Sequence, residues 1–344
     1  MSEQSGYRVE RWGADPVWDS FREPTPGAGD VLVEVAACGV GLTVLNCING
    51  DLGDDEALLP RVPGHELAGR VIEAGEGVDR GLIGRQVVAY FYLVCGHCAP
   101  CRAGRDSRCA NLAGYVGVHR DGGYARWTAL PAINVIPVAA DLDPIAATVI
   151  ADAVATPVHV ADRADIGPGD RVAVLGAGGG VGIHMIQVAR RRGAAVAGFD
   201  VTAQKLAEIE RLGARPVRSE NLRGIAPGVF DGDRPSVVVD LLGTPQAASW
   251  SLGALDTGGR LVALTTFRNR PATFASRDLV LRELTIVGSR YATRSQVAEA
   301  ARMVATGLVE PIIGEVTGPS EVLAIHDQIR RGQLIGRGAL DWRQ

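Results

Sequence analysis

The chain has 344 residues, 47% hydrophobic and 22% charged, with a formal net charge of −4. That length allows two domains with a sizeable core, and the mildly acidic balance leaves no electrostatic footprint for nucleic acid. No stretch approaches the ~18 continuous apolar residues of a membrane span, and Met1 to Glu10 is polar rather than a basic region followed by an apolar one, so a cytoplasmic protein is expected, with no membrane partner.

Residues 1 to 30 are polar and carry Pro16, Pro24 and Pro26. Val31 to Ala37 then alternates around Glu34 as a strand does, and further short strands are predicted at Leu67 to Ala74 and Gln86 to Leu93, separated by turns such as Gly75 to Arg80. Strands this close together leave no room for helical crossovers, which predicts a small barrel or sandwich in the first 150 residues. The glycines and prolines are dispersed rather than gathered into a linker, and there is no internal repeat.

Four of the six cysteines, Cys95, Cys98, Cys101 and Cys109, fall in the spacing C-x2-C-x2-C-x7-C, with Gly96 and Gly104 giving the turns. Four thiolates so placed can close a tetrahedral shell around one zinc ion and leave no position for water, the mark of a structural site. An iron-sulfur cluster takes the same ligands, but nothing else in the chain suggests electron transfer. Two disulfides are disfavoured in a reducing compartment. His97 and His119 read as loop residues beside the lobe.

Pro144 to Val160 is predicted as a helix with a break or kink at Pro157. From Asp170 the pattern alternates: strands at 171–175, 194–199, 236–241, 259–264 and 284–288, helices at 180–192, 202–212 and 244–254. This is the order of a doubly wound domain. Helices at 294–306 and 321–330 follow, and the last 35 residues are expected to return to the first domain, with an active site between the two.

The apolar strand 171–175 runs straight into Gly176, Gly178, Gly179, Gly180, Val181 and Gly182 and then into a helix. G-x-G-x-x-G fails here by one residue, whereas G-x-x-G-x-x-G holds through Gly176, Gly179 and Gly182, so the loop is one residue longer than the commonest form. Glycines in such a turn let backbone N–H groups and a helix N-terminus close on a diphosphate. Asp200 ends the next strand, where a carboxylate accepts hydrogen bonds from ribose hydroxyls and repels a 2′-phosphate, favouring NAD(H) over NADP(H). The plainer reading is a glycine-rich turn with a solvated aspartate.

With that fingerprint, the four-cysteine lobe and Gly64-His65-Glu66 in hand, the chain resembles the medium-chain, zinc-containing alcohol dehydrogenase family over nearly its whole length. The resemblance implies an α/β fold: a GroES-like β-rich catalytic domain with a structural-zinc lobe over 1–153, an inserted Rossmann domain binding NAD over 154–291, and a C-terminal return over 292–344. It also implies reversible hydride transfer between the nicotinamide and a small-molecule alcohol or carbonyl, in a homodimer or homotetramer, with the structural zinc on Cys95, Cys98, Cys101 and Cys109.

The family's catalytic metal site carries over only in part. Where relatives read C-G-V-C-x-T/S-D, with the second cysteine on zinc, this chain reads Cys38-Gly39-Val40-Gly41-Leu42-Thr43-Val44. Gly41 stands at the thiolate and Val44 at the acidic position. His65 matches the histidine ligand, Glu66 its neighbouring carboxylate and Asp152 the third ligand, so a catalytic zinc would have to be rebuilt from these three, with Glu66 moved inward. Thr43 matches the hydroxyl that exchanges a proton with the substrate oxygen. Lys205 matches a lysine at the adenosine ribose, Arg337 an arginine that contacts the pyrophosphate, and Thr265 and Thr266 fall on the nicotinamide side.

Hydride transfer between NAD(H) and an alcohol or carbonyl is therefore the expected activity. Two alternatives stay open: a zinc-independent reductase of a conjugated C=C or iminium bond, since relatives without catalytic zinc act on activated substrates, and a non-catalytic nucleotide-binding protein. Leu42, Leu112, Val154 and Phe267 are expected in an apolar substrate pocket, and the strand at 284–288 as a dimer edge.

Overall fold

The computed structural model describes residues 3–265 and 271–344, so Thr266 and Phe267 lie outside the described residues. Two compact units result: one of residues up to Ala155 with Ala292–Gly307 and Ile313–Gln344, the other of Thr156–Tyr291 with Leu308–Ile312.

The first unit opens with a hairpin, β1 (Glu3–Arg8) against β2 (Val17–Arg22). There follow β3 (Asp30–Val40), α1 (Leu42–Ile48), β4 (Glu66–Ala74), β5 (Gln86–Ala89), α2 (Ala99–Arg102), β6 (Trp127–Pro131), β7 (Val135–Pro137) and α3 (Pro144–Ala147). β3 outruns its predicted end because almost every side chain of D-V-L-V-E-V-A-A-C-G-V is buried, including the small residues that break the alternation.

The predicted helix at 144–160 is three pieces: α3, a π-helical turn over Ile150–Val154, and α4 (Ala155–Arg163). The Val154 N–H reaches back five residues to the Val149 carbonyl at 2.9 Å. Pro157 has no N–H to return to residue 153; the widened turn just upstream relieves that crowding, so the helix runs through the proline unbroken. The whole run Pro144–Arg163 is long and apolar enough by composition to span a membrane, with mean hydropathy 1.4, although Thr148, Asp152, Thr156 and His159 interrupt it. With 83% of that window buried inside the protein, it is a core helix.

In the second unit β8 (Arg171–Leu175), α5 (Gly180–Arg191), β9 (Ala195–Asp200), α6 (Ala203–Arg211), β10 (Arg215–Arg218), β11 (Val237–Asp240), α7 (Pro245–Ala254), β12 (Arg260–Ala263), α8 (Ser276–Leu281) and β13 (Thr285–Gly288) alternate. The six strands are parallel in the order β10-β9-β8-β11-β12-β13. The order reverses between β8 and β11, and the crevice beyond their carboxyl ends is where such sheets take ligands. β10 and α8 escaped prediction. Arg-Pro-Val-Arg has no apolar run, and its proline is tolerated because β10 is an edge strand.

The chain closes with α9 (Arg294–Ala305), β14 (Ile313–Thr317), α10 (Val322–Arg330) and β15 (Arg337–Asp341). β14 and β15 join the first unit's sheet, ordered β14-β15-β3-β4-β5-β7 with β6 also on β3. The short stretch Leu308–Ile312, assigned by sequence to the return, belongs instead to the second unit. Gln187 on α5 pairs with the Glu310 backbone through both amide atoms at 2.9 and 2.8 Å, and His184 Nε2 accepts the Ile312 N–H at 3.1 Å.

Candidate active site

Three strand ends meet in the first unit. Antiparallel pairing sets Gly39 of β3 opposite Glu66, the first residue of β4, and Val40 opposite Gly338, next to the first residue of β15. The register therefore delivers Gly41, His65, Glu66 and Arg337 to one edge of the sheet. The π-helical turn adds Asp152, and α1, starting after Gly41, adds Thr43.

These charges are nearly sealed: Glu66 is 0% exposed, His65 1%, Arg337 3% and Asp152 7%. Arg337 donates from Nε and Nη2 to Glu66 Oε1 at 3.1 and 2.9 Å, and from Nη2 to Asp152 Oδ2 at 2.8 Å. Thr43 Oγ1 donates to the same Asp152 oxygen at 3.5 Å. His65 Nε2 lies 3.5 Å from it as well, near enough for charge pairing but not aligned as a hydrogen bond. Among the described residues neither ring nitrogen of His65 has a hydrogen-bond partner, nor has Glu66 Oε2. The Phe91 ring packs against the imidazole with centroids 4.4 Å apart. Burial pushes the Glu66 carboxyl up from its ordinary range, against the pull of Arg337 and His65. For Arg337 burial works against the charge, but Glu66 and Asp152 outweigh it and the guanidinium ends above its ordinary value.

The fold thus brings His65, Glu66 and Asp152 together as the resemblance implied, with their ligand atoms within 4.8 Å of one another. Orphaned nitrogens and an orphaned carboxylate oxygen suit an ion. The guanidinium does not, because it already bonds two of the three donors. Like unit charges 4 Å apart repel by about 4 kcal/mol at an effective dielectric of 20, and a divalent ion doubles that. With Arg337 in this place the residues present do not fit a catalytic zinc. Gly41 makes the placement possible: a Cβ there would stand 2.9 Å from Arg337 Nε and nearer still to Nη1 and Cζ. Sequence reasoning gave Arg337 to the pyrophosphate; in this structure its side chain bonds Glu66 and Asp152. The signal available was Gly41 itself, since a side chain missing from a packed site has to be replaced by another. Phe91 was also missed, and Val154, expected in a pocket, is wholly buried core. Cys38 and Cys47 stay buried, their thiols pushed up by burial.

The cysteine lobe behaves differently. Cys95, Cys98, Cys101 and Cys109 cluster with Sγ separations of 3.6 Å for Cys95 to Cys109 and 3.9 Å for Cys98 to Cys109. A tetrahedron with 2.3 Å zinc–sulfur bonds has edges of about 3.8 Å. Backbone N–H groups of Cys101 and Ala110 lower the Cys98 thiol to about 6, whereas burial and the neighbouring thiols push Cys101 up to about 12, a crowding that a bound cation would relieve. This donor set fits zinc. His97 stays exposed, its ring on the Cys95 carbonyl, and His119 packs on Tyr115.

In the second unit the glycine turn follows β8 at the switch point. Gly176 has φ +77°, open to glycine and strained for other residues. A Cβ on Gly182 would meet the Gly176 carbonyl and come within 2.7 Å of Ala177 Cα, so this glycine sets the approach of helix to strand. A Cβ on Gly178 would fall 2.6 Å from Lys205 Cβ, which places that lysine directly over the loop. Gly179, the N-cap of α5, supplies no capping side chain, so it puts nothing of its own over the first N–H groups of that helix. Asp200 Oδ2 accepts the Gly178 N–H at 2.9 Å, and Lys205 Nζ is 3.9 Å from Oδ1. Thr265 donates to the Leu241 carbonyl at 3.0 Å, beside the same switch point. These residues fit a dinucleotide.

Two family descriptions match: the alcohol dehydrogenase GroES-like domain over residues 27–140 and the zinc-binding dehydrogenase domain over 180–306. The alcohol dehydrogenase of Geobacillus stearothermophilus is 30% identical over 315 residues, 90% of each chain. The acryloyl-coenzyme A reductase of Metallosphaera sedula is 26% identical over 92% of this chain and 93% of that one. The acetophenone reductase of Geotrichum candidum in complex with NAD superposes with a TM-score of 0.88 at 27% identity, covering 99% of this chain and 98% of that one. The chain belongs to the medium-chain, zinc-type alcohol dehydrogenase family, and it is an alcohol dehydrogenase-like oxidoreductase.

Proposed function

We propose that the protein transfers hydride between NAD(H) and a small-molecule alcohol or carbonyl. The observation that carries the reading is Asp200, whose carboxylate closes β9 and grips the glycine loop at Gly178, where it would accept ribose hydroxyls and repel a 2′-phosphate. When bound, the nicotinamide gives up or takes the hydride. The chain's own part is to hold the diphosphate on the N–H groups at the start of α5, to orient the ribose by Asp200 and Lys205, and to meet the substrate oxygen with the Thr43 hydroxyl. Asp152 Oδ2 stands 3.5 Å from both Thr43 Oγ1 and His65 Nε2, which offers a path for the proton exchanged at that hydroxyl.

A second reading, reduction of a conjugated C=C or iminium bond, is favoured by the absent thiolate at Gly41 and is in keeping with the relative named acryloyl-coenzyme A reductase. Calorimetry with NADH and NADPH, followed by transfer of deuteride from labelled NADH to a panel of ketones, enals, enoyl thioesters and imines, tests both. NADH should bind at least tenfold tighter, and Asp200→Ala should narrow the gap. Tighter NADPH binding would refute the cofactor reading, and binding without deuterium transfer to any acceptor would favour the non-catalytic alternative.

We further assign one structural zinc to the cysteine lobe, a cytoplasmic setting in keeping with six free cysteines, and a homodimer or homotetramer. β13 ends its sheet, and Val280, Leu281 and Ile286 beside it are 69%, 63% and 41% exposed, a fit for a second copy of the same edge. Sedimentation as a monomer at micromolar concentration would defeat that assembly.

A further inference from the structure

We propose that the guanidinium of Arg337 is the resident cation of the site around His65, Glu66 and Asp152, standing where the family's catalytic metal would stand, and that Gly41 is the residue that admits it.

The observations are linked by geometry. Gly41 is extended, with φ −139° and ψ −178°, a conformation open to every residue type, so the backbone gives no reason for a glycine there. Space gives the reason. Any Cβ at 41 would overlap the Arg337 head, with Nε at 2.9 Å and Nη1 and Cζ nearer. Arg337 in turn has no freedom to retreat cheaply, since Nε and Nη2 are spent on Glu66 Oε1 and Asp152 Oδ2, and the residue is 3% exposed. Loss of the side chain at 41 and this placement of the arginine head therefore go together: with any side chain at 41, Arg337 could not lie where it does.

Charge agrees with the packing. Two sealed carboxylates need a cation, and a guanidinium supplies one permanently, in a planar fork that spans both oxygens. An ion placed among the same donors would share the cavity with that fork and face its charge, and it would lack the thiolate that Gly41 cannot supply. Arg337 thus acts as a positioning residue: it fixes Glu66 and Asp152, and through Asp152 the oxygen that Thr43 and His65 face. Nη1, which makes no hydrogen bond to a described residue, lies on the Gly41 side.

Metal counting on the full-length protein tests this without turnover, so a negative result would leave the hydride-transfer reading standing. Protein purified in the presence of zinc should hold about one zinc per chain, lost when Cys109→Ser opens the lobe and kept in His65→Ala. The double variant Gly41→Cys/Arg337→Met should take up a second equivalent, and its cobalt form should show a thiolate-to-metal charge-transfer band at that site. Two zinc ions per chain in the unaltered protein, with one lost in His65→Ala, would overturn the proposal. Should the double variant not fold, arginine modification by phenylglyoxal with peptide mapping decides: Arg337 should be protected in the unaltered protein and reactive in Gly41→Ala. Equal protection in both would refute the claim that Gly41 makes the room.

Discussion

Replacing Arg337 by methionine removes a cation bonded to both Glu66 and Asp152 while keeping an unbranched side chain of similar reach. Breaking a buried pair from one side typically costs about 3–5 kcal/mol, because the partner's charge stays behind without compensation. Glu66, at 0% exposure, cannot recover that loss from water. The second change is Glu66→Gln, which deletes one stranded charge and keeps the shape. Arg337→Met should therefore lower stability by about 3–5 kcal/mol, and adding Glu66→Gln should give back about 1–2 kcal/mol of it, a coupling within the range for residues in one network. Urea unfolding followed by tryptophan fluorescence suits the measurement, because Trp12, Trp18, Trp127 and Trp342 lie in the first unit and only Trp250 in the second. At a slope of about 1–3 kcal/mol per molar urea the midpoint should fall by at least about 1 M. A loss under about 1 kcal/mol, or a Glu66→Gln change that deepens the loss, would refute the reasoning that the charges depend on one another.

Buried His326 accepts or donates at Nε2 with the Tyr124 hydroxyl at 2.9 Å, and burial pushes its pKa down from 6.5 to about 4. Between those values the unfolded chain binds the proton and the folded one does not, so stability falls as pH drops through 6.5 and levels off below 4; the loss from this group by pH 5 is about 2 kcal/mol. Unfolding of the unaltered protein and of His326→Gln at pH 7.5 and pH 5 checks it, and an unchanged pH slope in the variant would count against it. Cys95→Ser should release the lobe's zinc and make the loop around 95–109 sensitive to proteolysis, and retention of a full zinc equivalent would contradict the four-sulfur assignment. Thr43→Val should lower kcat about 100-fold on an alcohol substrate and abolish the solvent deuterium isotope effect, whereas a change confined to KM would mark Thr43 as packing only.

The sequence by itself determined the parts whose chemistry is local. Four cysteines spaced over one short lobe, a glycine turn between a strand and a helix, and an aspartate closing the next strand are each fixed by neighbours along the chain, and the alternation after Asp170 was enough for the doubly wound unit. Elements lacking a local apolar signal were missed: β10 is Arg-Pro-Val-Arg at a sheet edge, and the π-helical turn at Asp152 depends on crowding around Pro157. Tertiary structure alone decided the charge arrangement of the candidate site. Arg337 and Glu66 are 271 positions apart, and Arg337 and Asp152 185. Only the pairing of β15 with β3, and of β3 with β4, sets them side by side, at the point where Gly41 leaves room for a guanidinium. A motif read along the chain can report that a ligand is missing, but what fills its space is settled by packing between distant segments.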